Sequence, residues 1–129
     1  MSTNEPDRMI QLAISAMDAA TFSSERRHVT RLYRSPQCEV MVVGWEKGQA
    51  SSAHRHLGSV STVVVLAGAI SVRNGSGAPR LFGIGGLCVT PDSMEHQIEN
   101  RSDARAVTLH IYCPPLKDDM PQPFLDASI

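Results

Sequence analysis

Of the 129 residues only three are cysteine, and Cys38, Cys88 and Cys113 stand far apart with no CxxC pair among them. An odd count at wide spacing is not a disulfide framework, and without paired thiolates a structural zinc site is not expected. The expectation is three reduced cysteines, at least two of them buried in strands. Charge of one sign is also lacking. The formal net charge is -1 and no lysine- or arginine-rich block exists, so neither nucleic acid nor an anionic membrane surface is expected as a partner. Long apolar runs are missing too: the longest, Thr62 to Ile70, falls far short of a bilayer. The first residues, Met-Ser-Thr-Asn-Glu-Pro-Asp, lack the basic start and apolar stretch of a secretory leader. A cytoplasmic location is therefore expected.

What is present points to a folded core. Hydrophobic residues make up 42% and charged residues 19%, and the length suits one domain. Met9, Ile10, Leu12, Ala13, Ile14 and Met17 follow a helical repeat, which predicts a short amphipathic helix over Met9–Ala20. Residues 1–27 are read as helix and loop, 28–115 as a β-barrel, and 116–129 as a proline-containing tail that runs over its outside. From residue 28, short apolar runs alternate with turn signals every ten residues or so, the texture of an all-β barrel or sandwich. The predicted strands are His28–Arg34, Glu39–Trp45, Gln49–Ala53, Ser61–Ala67, Ala69–Arg73, Arg80–Ile84, Leu87–Thr90, His96–Asn100 and Ala106–Tyr112. Asn74-Gly75 predicts a two-residue hairpin, and glycines at 44, 48, 58, 68, 85 and 86 are read as turn points.

The chemistry lies in the histidines. His54-Arg55-His56 places two imidazoles on one face of a strand, since residues i and i+2 share a face. Borderline divalent metals accept imidazole nitrogen. A third histidine from another strand would complete the set. By the same alternation Arg55, and Glu95 beside His96, point away from that centre.

The spacing Gly48, His54-x-His56, Gly68 resembles the first cupin motif, and Gly85, Pro91, His96, Asn100 resembles the second. The glutamate of the first motif is absent, its place held by Val60 and Ser61, and Ser93 stands where the second motif has glycine. The stretch from Gly44 to His56 looks like the metal-binding strand of the cysteine dioxygenase (thiol dioxygenase) family. His96-Gln97-Ile98-Glu99-Asn100 is similar to that family's third-ligand segment, and 106–115, with His110-Ile111-Tyr112-Cys113-Pro114-Pro115, to its closing strand.

The resemblance implies an all-β fold, a small cupin barrel (double-stranded β-helix, or jelly roll) preceded here by the short N-terminal helix. It implies a mononuclear ferrous ion held by His54, His56 and His96, although three imidazoles also accept Ni, Co, Cu or Zn. O2 would be co-substrate and a small thiol amino acid the substrate, oxidised at sulfur to a sulfinate. Tyr112 would be the active-site phenol, His110 its hydrogen-bonded neighbour, and Thr108 the counterpart of a serine in that relay. Ser61 occupies the place of the cysteine that animal members cross-link to the tyrosine, so that cross-link is not expected.

The family's carboxylate-binding arginine falls one residue off register at Arg31, which would serve only if the strand carries a bulge. Arg26, Arg27 and Arg34 are the other candidates. Two further readings of the same site are oxidative decarboxylation of cysteine to a sulfonamide-type product and a non-catalytic metal- or ligand-binding cupin. A homodimer is the expected assembly if this member follows other cupins.

Overall fold

The computed structural model of the chain describes residues 16–116. The predicted helix over Met9–Ala20 lies mostly outside them; residues 16–19 are helical. Eight strands follow: β1 (His28–Arg34), β2 (Glu39–Trp45), β3 (Val60–Ala67), β4 (Ile70–Asn74), β5 (Arg80–Phe82), β6 (Leu87–Thr90), β7 (His96–Glu99) and β8 (Ala106–Cys113). They form two antiparallel sheets, a five-stranded one in the order β1-β2-β8-β3-β6 and a three-stranded one in the order β5-β4-β7. The core between them is built from Met41, Val43 and Trp45 of β2, Val63 and Val65 of β3, Ile70 and Val72 of β4, and Ile98 of β7. This alternation is what a sheet with one inward face requires.

β2 departs from it, being buried at every residue. At Gly44 the segment before β1 lies on the outer face of β2: a Cβ built there would sit 2.0 Å from the Thr21 carbonyl oxygen and 3.1 Å from the Phe22 ring. Gly44 is therefore not a turn residue but a point of close approach inside a strand. Gly44→Ala should lower stability by about 3 kcal/mol, because backbone rather than a flexible side chain must give way. Denaturant unfolding measures it, and an unchanged midpoint would mean that the 21–22 segment lifts off at little cost.

Three other expectations are corrected. Asn74-Gly75 does not make a two-residue hairpin: the last β4–β5 pair is Val72 with Arg80, five residues (75–79) join the two strands, and Asn74 instead pairs with His96 across the sheet. The predicted strand Gln49–Ala53 does not form as a strand. The cysteines are free but none is buried: Cys38 and Cys88 are half-buried and Cys113 is exposed. Of the proline-containing tail only Leu116 is described. It is buried in the core, with its N–H donating to Glu39 Oε1 at 3.1 Å and its carbonyl accepting from Arg34 at 2.9 Å.

Candidate metal centre

The Gln49–Ala53 segment runs beside β7, tied to it by antiparallel pairs at Ala50–Glu99 and His54–His96. Four steps separate Ala50 from His54, but three separate Glu99 from His96, so this side carries one extra residue. That is a bulge, and it breaks the strand. Ser51 fills the gap: its N–H donates to the Ile98 carbonyl at 2.8 Å and its hydroxyl accepts from the Ile98 N–H at 3.0 Å. The bulge re-aims His54 until it stands opposite His96, with the two exchanging backbone hydrogen bonds at 3.0 and 2.8 Å.

His56 follows on a non-strand segment that turns at Gly58 (φ 80°). It is anchored from the second motif. The Ser93 N–H donates to the His56 carbonyl at 3.2 Å, and Asp92 Oδ1 accepts from the Gly58 N–H and the Ser93 hydroxyl, both at 2.7 Å. These contacts hold the Asp92 carboxyl below its ordinary range, the Ser93 hydroxyl contributing most. Ser93 itself sits at φ 67°, the left-handed conformation that explains a motif glycine here.

The three imidazoles converge. Ring centroids lie 4.9 Å (His54–His56), 4.4 Å (His54–His96) and 5.1 Å (His56–His96) apart, and one ligand atom from each falls within 4.8 Å of the others. His54 Nδ1 lies 2.6 Å from the Ser52 carbonyl oxygen, which places its proton there and leaves Nε2 with a free lone pair. Nε2 of His54, Nε2 of His56 and Nδ1 of His96 are buried without a hydrogen-bond partner. Three orphaned nitrogens at this spacing fit a borderline divalent cation, and no carboxylate joins the cluster among the described residues. Burial lowers the pKa of all three. His56 falls to about 3, with His54 and His96 adding repulsion, and His96 to about 4, with His54 adding to it. His54 is lowered by burial and by the Arg27 charge, against the opposing pull of the Ser52 carbonyl. At neutral pH each is the neutral base a metal needs.

Tyr112 packs its ring 5.0 Å from that of His56 and is itself buried. Behind it runs a polar chain in the core. Trp45 Nε1–H donates to Thr108 Oγ1 at 2.8 Å, Thr108 Oγ1 lies 2.7 Å from His110 Nε2, and His110 Nδ1 lies 3.3 Å from the Tyr112 hydroxyl. Because the indole can only donate, the Thr108 proton is free to bond His110 Nε2, and His110 then presents Nδ1–H to Tyr112. The burial that lowers His110 to about 3 keeps this imidazole neutral. Burial also pushes the Tyr112 phenol well above its ordinary value, outweighing the Arg27 charge, so it stays protonated.

Arg31 sits opposite Met41, on the barrel side of the sheet, and the β1–β2 register shifts between it and Tyr33. Its guanidinium is taken by the buried Glu39 at 2.7 Å. The positive charge felt at His54, His110 and Tyr112 is that of Arg27, buried with its guanidinium 5.8 Å from the Trp45 ring centre. Arg55 is exposed and Glu95 half-buried, 3.9 Å from each other, and the Glu95 charge is felt at His54. Sequence reasoning missed Trp45, the head of the polar chain, and the structural part of Asn100. The Asn100 amide bonds the Glu46 and Ala104 carbonyls at 3.2 and 2.8 Å, locking the turn before β8. No local signal marks Trp45, which meets Thr108 only through sheet pairing.

The cupin-domain family profile matches residues 41–112, which takes in every histidine of the cluster. Among solved structures the chain is similar to TT1209 from Thermus thermophilus, with 23% identity, a TM-score of 0.71, and 89% of this chain and 99% of that one covered. It is similar to an uncharacterized conserved protein with a double-stranded β-helix domain from Klebsiella pneumoniae, with 16% identity, a TM-score of 0.72, and 77% and 86% covered. An RmlC-like cupin protein from Desulfovibrio desulfuricans is 22% identical, with a TM-score of 0.68 and 74% and 90% covered. At these identities the likeness is one of fold, that of the small cupin barrel. No helix among the described residues is long and apolar enough to cross a membrane.

Proposed function

We propose that this chain, which belongs to the cupin family, is a three-histidine metal enzyme that oxidises the sulfur of cysteine or a related small thiol with O2. The observation that carries the reading is two arrangements in direct contact: the imidazole cluster and the buried Tyr112 against His56, with His110 and Thr108 hydrogen-bonded in series to it. A ferrous ion held by His54, His56 and His96 would supply acidity toward a thiol and one-electron chemistry toward O2. In the net reaction both oxygen atoms go to sulfur, giving a sulfinic acid, so sulfur gives up the four electrons that O2 takes.

The chain's own residues do the rest. Tyr112 holds a proton donor against the imidazole cluster, and His110 and Thr108 fix its orientation from the side away from the metal. Arg31 is committed to Glu39, and the buried cation whose charge reaches His54, His110 and Tyr112 is Arg27. Tyr112→Phe should leave metal binding intact and slow turnover by roughly 10²-fold, the scale of a lost proton-transfer partner. An unchanged turnover number would assign the phenol to packing.

The test of the function itself is aerobic incubation of the purified protein with cysteine and Fe(II), then with other divalent metals, with mass spectrometry of the products. A gain of two oxygen atoms on cysteine is expected. Release of CO2 with nitrogen and sulfur retained would mean oxidative decarboxylation to a sulfonamide-type product instead. No change with any thiol or metal would leave a non-catalytic binding cupin.

A further inference from the structure

β2 and β8 pair antiparallel with Glu39 opposite Tyr112. Carried one step beyond this last pair, the same register sets Cys38, just before β2, opposite Cys113 at the end of β8. Directly opposed residues of an antiparallel pair share a face and lie about 4.5–5.5 Å apart at Cα, within the span a disulfide bridges. Burial first, and then the neighbouring Cys38 thiol, pushes the Cys113 thiol above its ordinary pKa. Glu39 and Tyr112 turn inward, buried; Cys38 and Cys113 turn outward, Cys113 exposed and Cys38 half-buried. The pair is thus open to reagents. Cys88, on β6 and opposite Val63, has no cysteine across from it.

We propose that Cys38 and Cys113 form a reversible cross-strand disulfide that staples β2 to β8 at the end carrying Tyr112, with a small-molecule disulfide as the oxidant. The Cys113 thiolate attacks one sulfur of the small disulfide and expels a thiolate. Cys38, as thiolate, then attacks the Cys113 sulfur of the mixed disulfide and expels the second. The protein loses two electrons and two protons, and the small disulfide becomes two thiols. The reaction speeds up as pH rises toward the thiol range, because the thiolate is the nucleophile. The proposal stands independently of the reaction assigned to the metal centre.

The full-length chain is incubated with oxidised glutathione, quenched with acid, and analysed by intact mass and by non-reducing peptide mapping. A species lighter by two hydrogens, with a peptide linking Cys38 to Cys113, is expected in the wild type and in C88S, and in neither C38S nor C113S. The oxidised form should melt several degrees higher, since the bridge closes a long loop in the unfolded chain, and a dithiol reductant should reverse the shift. Mixed disulfides alone, bridges between two copies, or a wild type that keeps its thiols through a pH 9 incubation would each overturn the proposal.

Discussion

Alanine at position 54, 56 or 96 is expected to remove metal binding while the barrel still folds. In the wild type, Fe(II), Ni(II) or Zn(II) at a thousandfold excess over its dissociation constant should add about 4 kcal/mol of stability. For a domain of this size that is a rise of roughly 15 °C in the melting midpoint. Each variant should lose most of that rise, because losing one of three ligands weakens the site by roughly 10²–10³-fold. Without metal the substitutions should cost far less. One nitrogen of each imidazole is buried with no hydrogen-bond partner, a state that already costs about 1–3 kcal/mol for such a group. Alanine relieves that penalty and leaves a cavity in its place, so the two effects offset. His28, exposed on β1, supplies the control: His28→Ala should keep the full metal response. A variant at 54, 56 or 96 that keeps it would leave the ligand set.

The three histidines were legible because the motif spacing carries them, yet the reason they meet was not. Strand alternation predicts His54 and His56 on one face, but neither lies in a strand: His54 is an isolated bridge residue facing His96, after a bulge that follows the Ala50–Glu99 pair, and His56 comes after it on irregular chain. A single extra residue leaves no mark on a hydrophobic pattern, so an unbroken strand over Gln49–Ala53 is what the pattern predicts. The predicted bounds of β1 and β2 coincide with the observed ones. The close approach at Gly44 has no mark in the strand pattern because Thr21 and Phe22, which make it, come from outside the sheet. The arginines show the same limit. The register shift that Arg31 needs is present, but its Glu39 partner is set by three-dimensional packing. Arg27 lies just before β1, where alternation no longer says which way a side chain points. Its position over Trp45 follows from tertiary contact alone.

Acid should undo the metal-free protein well before it undoes the metal-loaded one. The pKa values of His56, His96 and His110 are lowered in the fold to about 3, 4 and 3, each mainly by burial. In the unfolded chain these groups take up protons near the ordinary 6.5. The folded state therefore binds fewer protons than the unfolded state between those limits, and stability falls as pH drops below about 6.5. At pH 5 each of the three gives up roughly 2 kcal/mol relative to pH 8, a large part of the 5–15 kcal/mol typical of a domain. The loss continues until pH approaches the folded values. His110→Gln, which keeps a neutral hydrogen-bonding side chain beside Thr108 and Tyr112, should flatten part of the slope. A bound cation competes with protons for the three-histidine cluster, so metal moves the onset of the loss to lower pH and a chelator restores it. Thermal melts from pH 8 to pH 4.5, with and without chelator, measure both effects. A metal-free protein equally stable at pH 8 and pH 5 would show that these imidazoles take up protons in the folded state, and that the cluster is open to water rather than buried.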